Sequence, residues 1–383
     1  MRWTWVLVAV ALAGCGEKKA ARVTPTPTAT PAEATATSTP TPTGPWQVRE
    51  TSRAPLRCPA SSSRAGWPSR VVALGGNRYA KLWGRRPRLA AVDARGHLLR
   101  RQELGARRIT GVRALACGRG GRIAAAWTEY RGHGRDALRL SLSAGRARTI
   151  DTARAPYYDP AIQDVALAFA PDGSLLIAYS VDHAVRGVVV SRAGAVGPPF
   201  ELGPASQISL LAAEIAGNGR AVVAWSTLDG GEERNEHRRI YAVTGRDGRF
   251  GPAQLVHRAP HLSFQASSYG PIRLAVAANG RALLLWGTDS RAEFPESWVL
   301  RTAEAPPDGP FGASRQVVSS GTPGDVAIRG DGRRLLVWTN SAGLRASVGR
   351  RREVVVDGRT GDPRASFRAG KPHVEWRGGA ASR

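Results

Sequence analysis

Gly219-Arg220-Ala221-Val222-Val223-Ala224-Trp225 is the stretch that decides the fold. A glycine opens it, an aromatic closes it six positions later, and the residues from Ala221 on are apolar at odd and even positions alike. A strand that is apolar on both alternating faces has to be covered on both faces. The pattern recurs at Gly121–Trp127, Gly173–Tyr179, Gly280–Trp286 and Gly332–Trp338, with weaker copies at Asn77–Trp83 and Gly370–Trp376. The closing aromatics are therefore residues 83, 127, 179, 225, 286, 338 and 376. Repetition at this spacing is the mark of a repeat architecture.

Each copy sits in a larger unit. An apolar run such as Asp164–Phe169 comes first, followed by a turn at Asp172-Gly173, Asn218-Gly219, Asn279-Gly280 or Asp331-Gly332. Asn-Gly and Asp-Gly pairs predict tight hairpins with positive φ angles. A third run (for example 187–191 or 239–243) and a fourth (254–257 or 315–318) complete four strands, with no useful helical period after residue 20. Four antiparallel strands per unit, covered on both faces, predict an all-β chain folded as a β-propeller. Seven copies predict seven blades, with six as the alternative. The run Trp46–Glu50 is expected to supply a strand to the last unit and close the ring. The recurring Trp is read as a packing residue between blades.

These features resemble the broad group of secreted bacterial propellers described as TolB-like, WD-repeat-like or sialidase-like. The likeness covers about residues 46–383 and is one of architecture. Phe169-Ala170-Pro171-Asp172-Gly173 is similar to a TolB-type blade turn in one unit. The Ser-x-Asp-x-Gly-x-x-Trp box and the Arg-Ile-Pro start of sialidases are absent, as is the Trp-Asp ending of WD repeats.

The N-terminal segment predicts an address. Arg2 precedes a short apolar run, Trp5–Leu12, too short to span a bilayer at about 20 residues. The run closes on Leu12-Ala13-Gly14-Cys15, which resembles the bacterial lipobox. The resemblance implies that residues 1–14 are a cleaved lipoprotein signal and that Cys15 carries a lipid. Residues 15–45 then form a stalk: 24–45 holds nine Thr and six Pro and cannot bury apolar surface. At about 3.1 Å per residue it would hold a domain roughly 70 Å from the membrane. The expected location is the cell membrane, lipid-anchored, on the extracytoplasmic side. Cys58 and Cys117 are the remaining cysteines, and an oxidising compartment predicts a bond between them.

Charge and spacing bound the function. The 383 residues carry 55 Lys+Arg against 30 Asp+Glu, a net charge of +25, yet only four of the cations are lysine: Lys18, Lys19, Lys81 and Lys371. Scattered arginine without a reading module argues against a nucleic-acid partner. Outside a cell the charge favours anionic lipid headgroups or wall polymers. The stretches expected to link second and third strands (128–136, 180–185, 226–237 and 287–297) run the other way, with ten acids, Glu129 and Asp136 among them, against four arginines. Long loops on a rigid scaffold carry function. The candidate ligand face is therefore Tyr157, Tyr158, Asp159, Asp182, His183, Asp229, Glu232, Glu233, His237, His261, Tyr269, Asp289 and Glu293. It is suited to a glycan or protein ligand. No catalytic residue, cofactor site or metal site emerges, because Gly-x-Ser-x-Gly, P-loop, dinucleotide and Cys/His metal spacings are missing. The expectation is a monomeric binding or scaffolding module, not an enzyme. The rival is a glycan hydrolase of sialidase-like type using the long-loop face.

Overall fold

The computed structural model describes residues 47–49 and 71–382, less 76–77, 84–86, 94–97, 106–108, 119–121, 144, 155–160, 206–209, 230–236, 260–270, 289–297, 350, 358–362 and 377–378. All of them fall in the compact unit Pro40–Arg383. The described residues form strands and turns and no helix. The signal segment, the stalk and Cys58 lie outside them.

The strands make antiparallel sheets in which sequence neighbours pair, apart from the N-terminal strand of the last sheet and a split outer strand in the fourth. Sheet I is Val71–Gly75, Arg78–Trp83, Arg88–Asp93 and Leu98–Glu103. Sheet II is Ile109–Cys117, Ile123–Gly132, Arg135–Leu142 and Arg148–Arg154. Sheet III is Ile162–Phe169, Leu175–Val181, Ala184–Val190 and Phe200–Pro204. Sheet IV is Leu210–Ile215, Arg220–Asp229 and His237–Arg246, with Arg249–Phe250 and Gln254–Arg258 both paired to the third strand. Sheet V is Arg273–Val276, Ala282–Thr288, Val299–Ala305 and Arg315–Val318. Sheet VI is Thr322–Ile328, Arg334–Asn340, Gly343–Val348 and Arg351–Asp357. Sheet VII joins Arg364–Arg368, Lys371–Trp376 and Gly379–Ser382 to Gln47–Arg49, which runs antiparallel to the last strand with Gln47 opposite Ser382.

The first strands of successive sheets lie against one another, from sheet I through sheet VII. The second strands then divide their side chains between two interfaces. In sheet IV, Ala221, Val223 and Trp225 join the core shared with sheet III, while Val222 and Ala224 join the core shared with sheet V. Sheet III follows suit, with Leu175, Ile177 and Tyr179 toward sheet II and Leu176 and Ala178 toward sheet IV. This is why no polar face alternates along these strands: period 2 is present, but each face meets a different neighbour. The closing aromatics Trp127, Tyr179, Trp225 and Trp286 are fully buried, and each packs into the interface with the preceding sheet. The architecture is all-β and propeller-like.

Turn chemistry departs from expectation in one respect. Asp172, Asn218, Asn279 and Asp331 do not take positive φ; the glycines that follow them do, at +84° to +92°. The Asx side chains instead accept a hydrogen bond from the backbone N–H two residues on, Ser174, Arg220, Arg281 and Arg333 respectively. The turn thus needs both residues, for separate reasons. The two-residue hairpins with paired positive φ lie at the other end of the sheets, at His133-Gly134 and Asp182-His183.

Candidate functional site

Those hairpins correct the expected long-loop face. In sheets II and III the second and third strands run on until only His133-Gly134 and Asp182-His183 remain to join them. Glu129 and Asp136, read as loop acids, are strand residues only 3% and 2% exposed. Glu129 accepts a hydrogen bond from Trp127 Nε1 at 2.9 Å and pairs with Arg139 at 3.5 Å. Asp136 accepts from the Ala161 N–H at 2.9 Å, tying sheet II to sheet III. Burial of these two removes one fifth of the acids that made the face look negative. What sheet II presents instead is a shallow basic hollow of about 540 Å³ walled by Arg131, His133, Arg135 and Arg154.

Of the candidate face, Asp182 and His183 stand exposed in their turn, and Asp182 pairs with Arg186 at 3.6 Å. Asp229 and His237 are register partners at the end of the ladder between the second and third strands of sheet IV. Tyr157, Tyr158, Asp159, Glu232, Glu233, His261, Tyr269, Asp289 and Glu293 lie outside the described residues. Among the described residues no group of three His, Cys, Asp or Glu side chains is placed to hold a metal ion.

The polar groups that the structure does bring together are clamps between sheets. Along the first strands, Asp164 accepts from the Leu211 N–H at 2.7 Å, Glu214 from Val276 at 2.8 Å and Asp325 from Ala365 at 2.8 Å. Arg273 donates to the Gly324 carbonyl at 2.6 Å, filling the step between sheets V and VI. Asp164 also accepts from its neighbour Val165 with its other oxygen. Burial pushes its carboxyl up to about 7, against the lowering effect of those two backbone N–H groups. A carboxyl near neutrality suits proton transfer, but both oxygens here are already spent on backbone donors. The sequence signal for these clamps is a lone carboxylate in an apolar run, as at Asp164, Glu214 and Asp325.

A second set of clamps joins the first-to-second turns. Arg122 donates to Gly173 O of the next sheet, and Arg220 to Gly280 O at 3.0 Å. Asn218 Nδ2 donates to Asn279 O at 2.8 Å, and Asn279 Nδ2 to Gly330 O at 3.0 Å. Arg329 reaches Gly370 O at 3.0 Å. Arg122, Arg220, Arg273 and Arg329 are thus structural.

Two further groups are tuned by their surroundings. Tyr179 donates to Asp151 at 2.7 Å, and burial followed by that carboxylate raises its hydroxyl pKa far above the usual range. His257 lies 5.7 Å from the Trp286 ring and 3.0 Å from Ser314 Oγ. Burial, then Arg301 and Arg238, lower it to about 4, so it is neutral at pH 7.

No family model and no curated protein matches the chain. Solved structures similar to it include a protein of unknown function from Dyadobacter fermentans, with TM-score 0.42 and 14% identity over 72% of this chain and 94% of that one. A Hadza microbial sialidase overlays with TM-score 0.42 and 11% identity over 78% and 73%. An alpha-L-arabinanase of Penicillium chrysogenum overlays with TM-score 0.38 and 13% identity over 68% and 89%. At these TM-scores the overlays carry no argument about activity. The class rests on the strand order: an all-β, propeller-like protein whose described polar clusters are inter-sheet clamps.

Proposed function

We propose that the chain is a membrane-anchored extracytoplasmic β-propeller that acts as a binding or scaffolding module at the cell surface. The observation that carries the reading is the order of segments: an apolar run ending in Leu12-Ala13-Gly14-Cys15, a Thr/Pro stretch, then the repeat. Cys15 is the lipidated residue in this reading. Of the described carboxylates, Asp136, Asp164, Glu214 and Asp325 are engaged as clamps between sheets and Glu129 is tied to Trp127 and Arg139 within sheet II, which favours binding over hydrolysis.

Seven blades form the ring. Support comes from seven meanders in sequence order and from the pairing of Val48 with Ala381, which lets the N-terminal strand complete the last sheet. Cys58 and Cys117 form a disulfide, Cys117 being buried at the end of the first strand of sheet II.

The test is fractionation of cells expressing the chain and its Cys15→Ser variant, followed by glycan and peptide arrays probed with the released protein. Loss of membrane retention in the variant and array binding without turnover are expected. Retention of Cys15→Ser on membranes sinks the anchor; turnover of arrayed glycosides sinks the binding role.

A further inference from the structure

We propose that a cleft between sheets II and III, on the face of the first-to-second turns, binds a phosphate or sulfate group. The cleft holds about 700 Å³ and is lined by Arg122, Arg139, Arg146, Arg148 and Arg192, with no acidic residue in its wall. It lies at the end of the sheets opposite the candidate face chosen from sequence, because it is built from the start of one second strand and from two third-to-fourth turns.

Five guanidinium groups in one cleft repel one another unless something compensates. One is compensated, Arg139 by Glu129 at 3.5 Å, while Arg192 makes no ion pair among the described residues. Arg122, Arg146 and Arg148 have no carboxylate partner among the described residues. They are nonetheless held. Arg122 donates to Gly173 O and Arg192 O and lies 5.7 Å from the Phe169 ring. Arg148 donates to Gly194 O at 2.6 Å, and Arg139 to Ala147 O at 3.2 Å. A carbonyl orients a guanidinium and leaves its charge uncancelled. The result is a set of pre-positioned cations with donors to spare, the condition under which tetrahedral oxyanions are captured by paired N–H forks. Arg146 and Arg192 are exposed at the rim and make no side-chain hydrogen bond among the described residues, so they are free to close on a ligand.

The site stands whether or not the chain is anchored. Calorimetric titration of the full chain with sodium pyrophosphate tests it, at about 50 mM and about 300 mM NaCl. Saturable 1:1 binding is expected, at least tenfold weaker in the higher salt. The Arg146→Ala/Arg192→Ala variant removes rim charge without touching a clamp and is expected to lose at least a further tenfold. Arg249→Ala/Arg258→Ala removes the same charge from exposed positions of sheet IV and should stay within twofold. Equal losses in the two variants, or no saturable binding up to about 5 mM, overturn the proposal. Co-sedimentation with phosphatidylglycerol vesicles, using phosphatidylcholine as control and pyrophosphate as competitor, distinguishes the source. Competed vesicle binding assigns a lipid headgroup, and pyrophosphate binding without vesicle binding assigns a soluble phosphate. Failure of membrane anchoring with pyrophosphate binding intact leaves this site standing and sinks only the surface reading.

Discussion

Arg220→Ala is the perturbation that best tests whether inter-sheet clamps hold this fold. Arg220 is 5% exposed and sits at the start of the second strand of sheet IV. Its guanidinium donates to the carbonyls of Gly280, Pro306, Pro307 and Gly309, all in sheet V or its turns. Burial lowers its pKa, and Asp308 partly offsets that. A hydrogen bond from a charged donor contributes about 1.5–3 kcal/mol. Three of the four acceptors share one nitrogen, so the bonds do not add, and the carbonyls left without a donor put the loss at about 1.5–3 kcal/mol. At the low end of the slope for long chains, about 2 °C per kcal/mol, the melting temperature should fall by about 3–6 °C. The control is Arg333→Ala, which follows a turn glycine in the same way but is exposed and makes no side-chain bond among the described residues. It should change stability by about 0.5 kcal/mol or less. Tryptophan fluorescence melts at one fixed scan rate read both variants, since Trp225 and Trp286 are fully buried in sheets IV and V, the two sheets the clamp joins. Equal losses in Arg220→Ala and Arg333→Ala would refute the clamp reasoning.

Three other outcomes follow from the same geometry. Asp164 has a raised folded-state pKa, so its contribution to stability is complete below pH 4 and is lost as pH rises toward 7; His257, lowered to about 4, contributes above pH 6.5 and loses its contribution as pH falls toward 4. The two oppose each other between pH 4 and 6.5, so Asp164→Asn should make stability climb with pH in that window, and a denaturation series showing no change of slope counts against the burial of Asp164. Gly187→Ala should destabilise by about 1–3 kcal/mol, because an added Cβ would stand 2.5 Å from the Phe200 ring, itself stacked on Phe250 at 5.5 Å; an unchanged urea midpoint would show that the ring yields. Cys58 and Cys117 should resist alkylation in the native oxidised protein and react after reduction, and labelling of both without reductant would exclude their bond.

The strands were legible because their signals are local. Gly-x-x-x-x-x-aromatic repeats placed the starts of Arg220–Asp229 and Ala282–Thr288, though the first runs four residues past Trp225, and apolar residues on both faces announced that each sheet is covered twice. The candidate face was less legible. Acid counts in 128–136 and 180–185 assumed loops, but strand length is set by pairing with a partner, and pairing carried Glu129 and Asp136 inward. The sequence by itself determined the repeat, the all-β class and the first-to-second turns, since these follow from side-chain periodicity and from what glycine, Asn and Asp permit at a bend. Only the tertiary structure decided what each arginine does. Arg220 and Arg333 follow the same turn glycine in sequence, yet one is buried among four carbonyls and the other faces solvent. Five others meet in a single cleft. Charge acts through space, and a sequence fixes only spacing along the chain.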